Sequence, residues 1–120
     1  AEPRRGRPAL DRRTNIRRSM AALEAAPTGP SAADLARQAG VTGRTLLRAF
    51  QETFGTPPKQ YLMLRELHRI RRILAGGAAG DATVAEVLAR HGIWEFGRFA
   101  GRYRRQFGEL PAETLRRGRG

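Results

Sequence analysis

Cysteine is absent from the 120 residues, which excludes disulfides, thiolate zinc sites and cysteine nucleophiles and leaves the redox compartment unreadable. Long apolar runs are missing too. No stretch approaches the roughly 20 residues that a membrane span needs, and no charged n-region with an apolar h-region opens the chain, so a cytoplasmic protein with no membrane partner is the expectation. Histidine is scarce: His68 and His91 stand apart, neither in an H-E-x-x-H pattern nor beside an acid at a useful spacing, and no glycine-rich phosphate loop follows a strand. This inventory argues against an enzyme, and no cofactor or metal is expected. Acids are outnumbered, 11 Asp and Glu against 23 Lys and Arg, for a formal net charge of +12. That excess makes a polyanion the first partner to consider. Nucleic acid ranks ahead of an anionic membrane, because the basic residues occur on many helices and not along one. Lysine itself is nearly missing, Lys59 being the only one. Guanidinium is the better bidentate donor to phosphate and guanine, but Ala, Gly, Arg and Leu dominate the whole chain as a GC-rich genome would produce, so the arginines count here chiefly for their charge.

With 40% hydrophobic residues, the chain suits one domain or two very small ones with a modest core. Residues 1–10 are rich in Pro, Gly and Arg and are expected to form a flexible basic linker or arm, which points to a piece of a longer protein. Arg5-Gly6-Arg7-Pro8 matches the short core of an AT-hook, which lies in a narrow A·T minor groove; a basic interdomain linker is the preferred reading. From Asp11 the pattern turns helical, with Ile16, Met20 and Leu23 on one face, until Pro27 and Gly29 stop it.

The stretch from Ser31 to Phe54 organises the rest. Ser31 with Asp34 three residues on marks a helix start, and Ala36 is small where two helices must cross closely. Gly40 supplies the positive φ of a sharp exit, and Val41 plugs the corner. Thr42 caps a second helix in which Leu46, Ala49 and Phe50 recur at the spacing of a buried stripe, while Arg44, Thr45 and Arg48 face elsewhere. This is the grammar of a helix-turn-helix. Thr56-Pro57-Pro58 opens the longest helix, about Pro57 to Ala75 and roughly 28 Å long, with Met63, Leu67, Ile70 and Leu74 on its apolar stripe. After Gly76 to Gly80 the opening pattern returns: Thr83-Val84-Ala85-Glu86 is a capping box, Val87 to His91 a short helix, Gly92-Ile93 a turn and Phe96 to Phe107 a second helix. Phe54-Gly55-Thr56-Pro57-Pro58 is answered by Phe107-Gly108-Glu109-Leu110-Pro111 at an offset of 53, whereas Gly40 and Gly92 are offset by 52. One residue has been added in the second turn.

Asp34-Leu35-Ala36, Gly40-Val41-Thr42, Leu46, Arg48, Phe50, Tyr61-Leu62 and Arg72-Ile73-Leu74 in the first half, with Thr83 to Val87, Gly92-Ile93, Phe99, Tyr103, Phe107-Gly108 and Pro111 in the second, give a chain that resembles the DNA-binding domain of the AraC/XylS family of bacterial transcription regulators. The resemblance covers about Ile16 to Arg116. It implies an all-α fold of seven helices, two helix-turn-helix subdomains joined by a long central helix, a homeodomain-like tandem. The expected divisions are 11–55, a linking helix at 56–76, a second subdomain at 77–117 and a disordered tail at 118–120.

The resemblance also implies a sequence-specific double-stranded DNA partner, contact with RNA polymerase, and an effector bound only by an upstream domain outside this sequence. Such a domain is monomeric and nucleoid-associated, since two recognition elements on one rigid helix reach major-groove segments one turn, about 34 Å, apart. The family's base-facing positions fall on Gly43, Arg44, Leu47 and Arg48, with Thr45 adjacent. Arg44 and Arg48 are four apart and so share a helical face, from which each can grip guanine O6 and N7. In the second copy those positions fall on Phe96, Gly97, Ala100 and Gly101, none of which has a side-chain donor, while Arg98, Arg102, Arg104 and Arg105 are expected to straddle the phosphates. Leu88 takes the close-crossing slot of Ala36, and Trp94 is expected in place of the capping Thr42, packed over the turn. Arg116, Arg117 and Arg119 read as solubilising charges. The alternative is a sequence-neutral architectural DNA- or RNA-binding protein.

Overall fold

The computed structural model describes residues 11–25 and 29–119. The Arg5-to-Pro8 segment and Pro27 therefore lie outside the described residues. Seven helices and no strands are found among those described: α1 (Arg12–Ala25), α2 (Ala32–Ala39), α3 (Gly43–Phe54), α4 (Pro58–Ala75), α5 (Val84–Arg90), α6 (Phe96–Phe107) and α7 (Pro111–Arg119). The chain divides into two compact units between Leu62 and Met63, within α4.

In the first unit, Asp11 starts α1 by accepting the Thr14 backbone N–H at 2.7 Å. Ser31 and Asp34 form the expected reciprocal capping box on α2, and Gly40 ends that helix in the left-handed conformation at φ 75°. Thr42 caps α3 through the Thr45 backbone N–H at 3.1 Å. Leu23, Leu35, Ala36, Leu46 and Phe50 make the core, with Ile16, Met20, Val41 and Tyr61 packed against it. Ile16, Met20 and Leu23 share the core-facing side of α1 as expected, and Asn15 and Ser19 are buried on that side too. Ser19 is accommodated there because its hydroxyl donates to the Asn15 carbonyl at 2.8 Å. At the start of α4 the acceptor for Tyr61 N–H is Pro57 O. Pro57 is therefore the cap, and the Thr56 hydroxyl donates instead to Gln60 Oε1 at 3.1 Å.

The second unit repeats the plan. Leu67, Ile70 and Leu74 of α4 meet Val87, Leu88, Phe99, Tyr103 and Leu115 in one core. Thr83 and Glu86 form the second capping box, and α5 begins at Val84, directly after that cap and a turn earlier than expected. The C-terminal end departs most from expectation. Helix α7 runs through Arg119, so 118–119 are helical and not a disordered tail. A Cβ on Gly118 would lie 2.3 Å from the Leu74 carbonyl oxygen, so only glycine lets α7 approach the end of α4 this closely. Arg119 donates to the carbonyls of Gly80 and Ala82, Arg117 pairs with Glu109, and the Tyr103 hydroxyl donates to Thr114 Oγ1 at 2.7 Å. Arg117 and Arg119 are thus structural bonds and not merely solubilising charges.

Candidate nucleic-acid interface

Helices α3 and α6 are the second helices of the two helix-turn-helix motifs, and both are 12 residues long. Their turns match bond for bond. In the first, Gly40 N–H reaches Arg37 O and Val41 N–H reaches Ala36 O; in the second, Gly92 N–H reaches Ala89 O and Ile93 N–H reaches Leu88 O. These pairs are offset by 52. Past the turn, Leu46 N–H to Thr42 O is matched by Phe99 N–H to Glu95 O, offset by 53. The added residue is therefore Trp94. The counterpart of the capping Thr42 is Glu95, which makes no side-chain cap bond, and Trp94 does not replace the cap. Nor does it pack over the turn, since 70% of it is exposed.

On α3 the spacing places the site residues as expected. Leu46, Ala49 and Phe50 are buried, so Gly43, Arg44, Leu47 and Arg48 are turned outward and exposed, with Thr45 half-buried beside its cap. A Cβ on Gly43 would meet nothing within 4 Å, so this end of the helix is bare. Arg44 and Arg48 form no ion pair among the described residues, leaving both guanidinium forks available. They line a groove of about 210 Å³ with Thr45, Ala49, Glu52 and, from α1, Arg12 and Asn15. Arg12 is held there by Glu52, Nη1 to Oε1 3.8 Å. Sequence reading missed Arg12, because nothing local to residue 12 signals a neighbour 40 residues away.

On α6 the arrangement differs. Phe99 and Tyr103 face inward, Gly97 is exposed, and Ala100 and Gly101 are half-buried. The structure does not gather the four arginines equally. Arg104 and Arg105 are exposed in the last turn; Arg102 is half-buried; and Arg98 is paired with the exposed cap residue Glu95 at 2.9 Å. A Cβ on Gly101 would lie 3.6 Å from Arg105 Nη1, so the Arg105 guanidinium leans back over the space that Gly101 leaves. Gly101 is the counterpart of Arg48, and Arg105 that of the acidic Glu52, at the offset of 53. Relative to α3, α6 has Gly97 and Gly101 where Arg44 and Arg48 stand, and carries its exposed Arg104 and Arg105 in the last turn.

The histidines stay outside both surfaces. Burial and the charges of Arg69 and Arg90 hold His91 below the ordinary imidazole pKa, and His68 meets the Phe107 ring edge-on. Arg71 lies over the same ring at 4.8 Å. Among the described residues no three acidic or histidine side chains are grouped to hold a metal ion, and no helix is long and apolar enough to cross a membrane.

Residues 35–117 match the family model described as a helix-turn-helix domain. The chain is 40% identical over 82 residues to the XylDLEGF operon transcriptional activator of Pseudomonas putida, covering 68% of this chain and 26% of that protein. It is 35% identical over 102 residues to the probable thc operon regulatory protein of Rhodococcus erythropolis, covering 84% of this chain and 31% of that one. It thus spans between a quarter and a third of the length of these relatives. A solved structure, a probable AraC family transcriptional regulator from Rhodopseudomonas palustris CGA009, superposes with a TM-score of 0.75 at 31% identity, covering 88% of this chain and 98% of that one.

Proposed function

Because the chain belongs to the AraC/XylS family of helix-turn-helix proteins, we propose that it is the sequence-specific double-stranded DNA-binding part of a bacterial transcription regulator, with α3 and α6 entering successive major-groove segments. The observation that carries this reading is the repeated motif, with its matched turn bonds, presenting an exposed Arg44 and Arg48 on the outer face of α3. An arginine on a recognition helix can donate two hydrogen bonds to guanine O6 and N7, and this pairing is the commonest specific contact in the major groove. Arg44 and Arg48 are assigned one base position each, with Gly43, Thr45 and Leu47 fitting the helix into the groove around them. Arg12 is placed beside them as a phosphate contact. On α6, Arg98, Arg102, Arg104 and Arg105 hold the backbone, and the small Gly97, Ala100 and Gly101 let that helix come close without hydrogen-bonding to bases.

The chain acts by binding and not by catalysis, uses no cofactor, and binds as a monomer in the cytoplasm, associated with the nucleoid. An effector domain upstream and contact with RNA polymerase belong to the same proposal, which fits a chain that spans 26% and 31% of the two relatives named above. The divisions proposed for this function are a first, reading subdomain at 11–55, the linking helix at 56–76 and a second, anchoring subdomain at 77–117.

The surface of α6, rich in arginine but without a side-chain donor at Phe96, Gly97, Ala100 or Gly101, favours a second reading, sequence-neutral architectural binding to DNA or RNA. Competition at fixed salt among a selected duplex, random duplex and structured RNA separates the two. The regulator reading expects the selected duplex to win by about 10³-fold or more. Equal competition by all three contradicts it.

A further inference from the structure

Trp94 is the residue by which the second turn exceeds the first, and it has no counterpart in the first motif. Its neighbour Ile93 packs against the core, but Trp94 is 70% exposed. Its ring centroid stands 6.4 Å from that of Phe96, with the two planes tilted by 33°. Phe96 is the first residue of α6 and is itself 38% exposed. Two large aromatic side chains therefore project together from the N-terminal end of the second recognition helix, the end whose residues reach base edges in helix-turn-helix complexes. A Cβ on Gly97, the next residue, would meet nothing within 4 Å. No side chain there keeps the aromatic pair away from a surface docked on it. Glu95, the one acid between the two rings, is paired with Arg98 at 2.9 Å, and Arg102, Arg104 and Arg105 follow along the helix, so the surface that carries the patch is positive overall. An apolar partner patch would favour a neutral surround; an apolar group inside a polyanion favours this one.

The apolar group that a DNA major groove presents is the C5-methyl of thymine. Resting on the DNA-binding reading above, we infer that Trp94 and Phe96 form an aromatic edge that takes a thymine methyl, giving the second motif a base preference without a hydrogen bond. Phe96 meets the methyl from the first turn of α6, and the inserted Trp94 extends the apolar surface beyond the helix end. The second motif thus discriminates at one or two T positions, while Arg44 and Arg48 discriminate through hydrogen bonds in the first.

The test uses the 120-residue chain and a duplex selected from a random pool. Each thymine in the segment bound by α6 is replaced in turn by deoxyuridine, which removes only the methyl. Burying one methyl group corresponds to about a 3- to 5-fold change in affinity, and that loss is expected at one or two positions. In Trp94→Ala and Phe96→Ala the same replacements are expected to have little further effect. Phe96→Leu, which keeps an apolar side chain, retains part of the dependence and guards against a folding defect, as does the helical circular dichroism of each variant. Trp94 is the only tryptophan, so its fluorescence is expected to change on binding. If deoxyuridine has no effect at any position while Arg48→Ala still loses its base preference, the aromatic edge is refuted and the DNA-binding reading stands. Methyl dependence that survives both alanine substitutions also refutes it. A pool that yields no preferred site refutes the DNA-binding reading and this inference with it.

Discussion

Arg48 and Gly101 occupy the same place in the two motifs, and the proposed division of roles between the two surfaces rests on that difference. Arg48→Ala is expected to cost about 1 to 3 kcal/mol on the selected site and to relax the preference at one base pair; binding assays on cognate and random duplexes check this, and equal losses on both would make Arg48 a phosphate contact. Glu66 offers a second prediction at this scale. Its Oε1 lies 3.7 Å from Arg69, but its Oε2 is buried with no hydrogen-bond partner among the described residues, and burial, only partly offset by Arg69 and Arg65, raises its carboxyl pKa above the usual 4.5. A raised carboxylate pKa means that the charged form opposes folding, and the cost is present above that pKa and vanishes once both states are protonated. Glu66→Gln should therefore melt higher than wild type at pH 7, with the gap closing as pH falls through the carboxylate range. An unchanged or lower melting temperature at pH 7 would contradict this. At this scale the sequence revealed the buried Leu46, Ala49 and Phe50, because helical spacing alone places them. It did not reveal Arg12 beside Arg48 or Arg119 on Gly80, because those meetings are made by tertiary packing.

Both motifs begin with a capping box, and the two boxes link helix stability to pH in the same direction. The Ser31 backbone N–H, followed by the Arg37 side chain, holds Asp34 below its ordinary pKa of 3.8. The Thr83 backbone N–H does the same for Glu86, whose ordinary value is 4.5. A carboxylate depressed in the folded state stabilises it fully above the unfolded value, and that stability is lost as pH falls through the depressed one. Thermal melts should hold level from pH 7 to about 5 and fall below the carboxylate range; a melting temperature that rises below pH 4 would contradict this. Ser31→Ala should cost about 1 kcal/mol, measured by chemical denaturation. Gly118→Ala should destabilise the end of α7, since the added methyl runs into the Leu74 carbonyl, and denaturation of the same chain reports it. The elements were legible because caps, left-handed glycines and apolar stripes are local signals. The position of the inserted residue was not, since an offset changing from 52 to 53 between Gly40/Gly92 and Phe54/Phe107 brackets an insertion without locating it. The turn hydrogen bonds locate it at Trp94.

Across the whole molecule, a net charge of +12 favours association with any polyanion, and salt dependence separates that general attraction from reading. Each phosphate contact contributes about 0.9 to the slope of log affinity against log salt. Arg104→Ala should lower that slope by about one contact and weaken cognate and random duplexes alike. Arg48→Ala should leave the slope nearly unchanged. The central claim is that the two motifs are unequal readers, with hydrogen-bonded recognition concentrated on Arg44 and Arg48. Selection of bound duplexes from a random pool by the wild-type chain and by Arg44→Ala and Arg48→Ala tests it most directly. The expected result is one strongly specified half-site, with a G·C pair lost for each arginine removed, and a second half-site specified weakly at thymine positions. Two equally informative half-sites, or a selected motif that both substitutions leave intact, would contradict it.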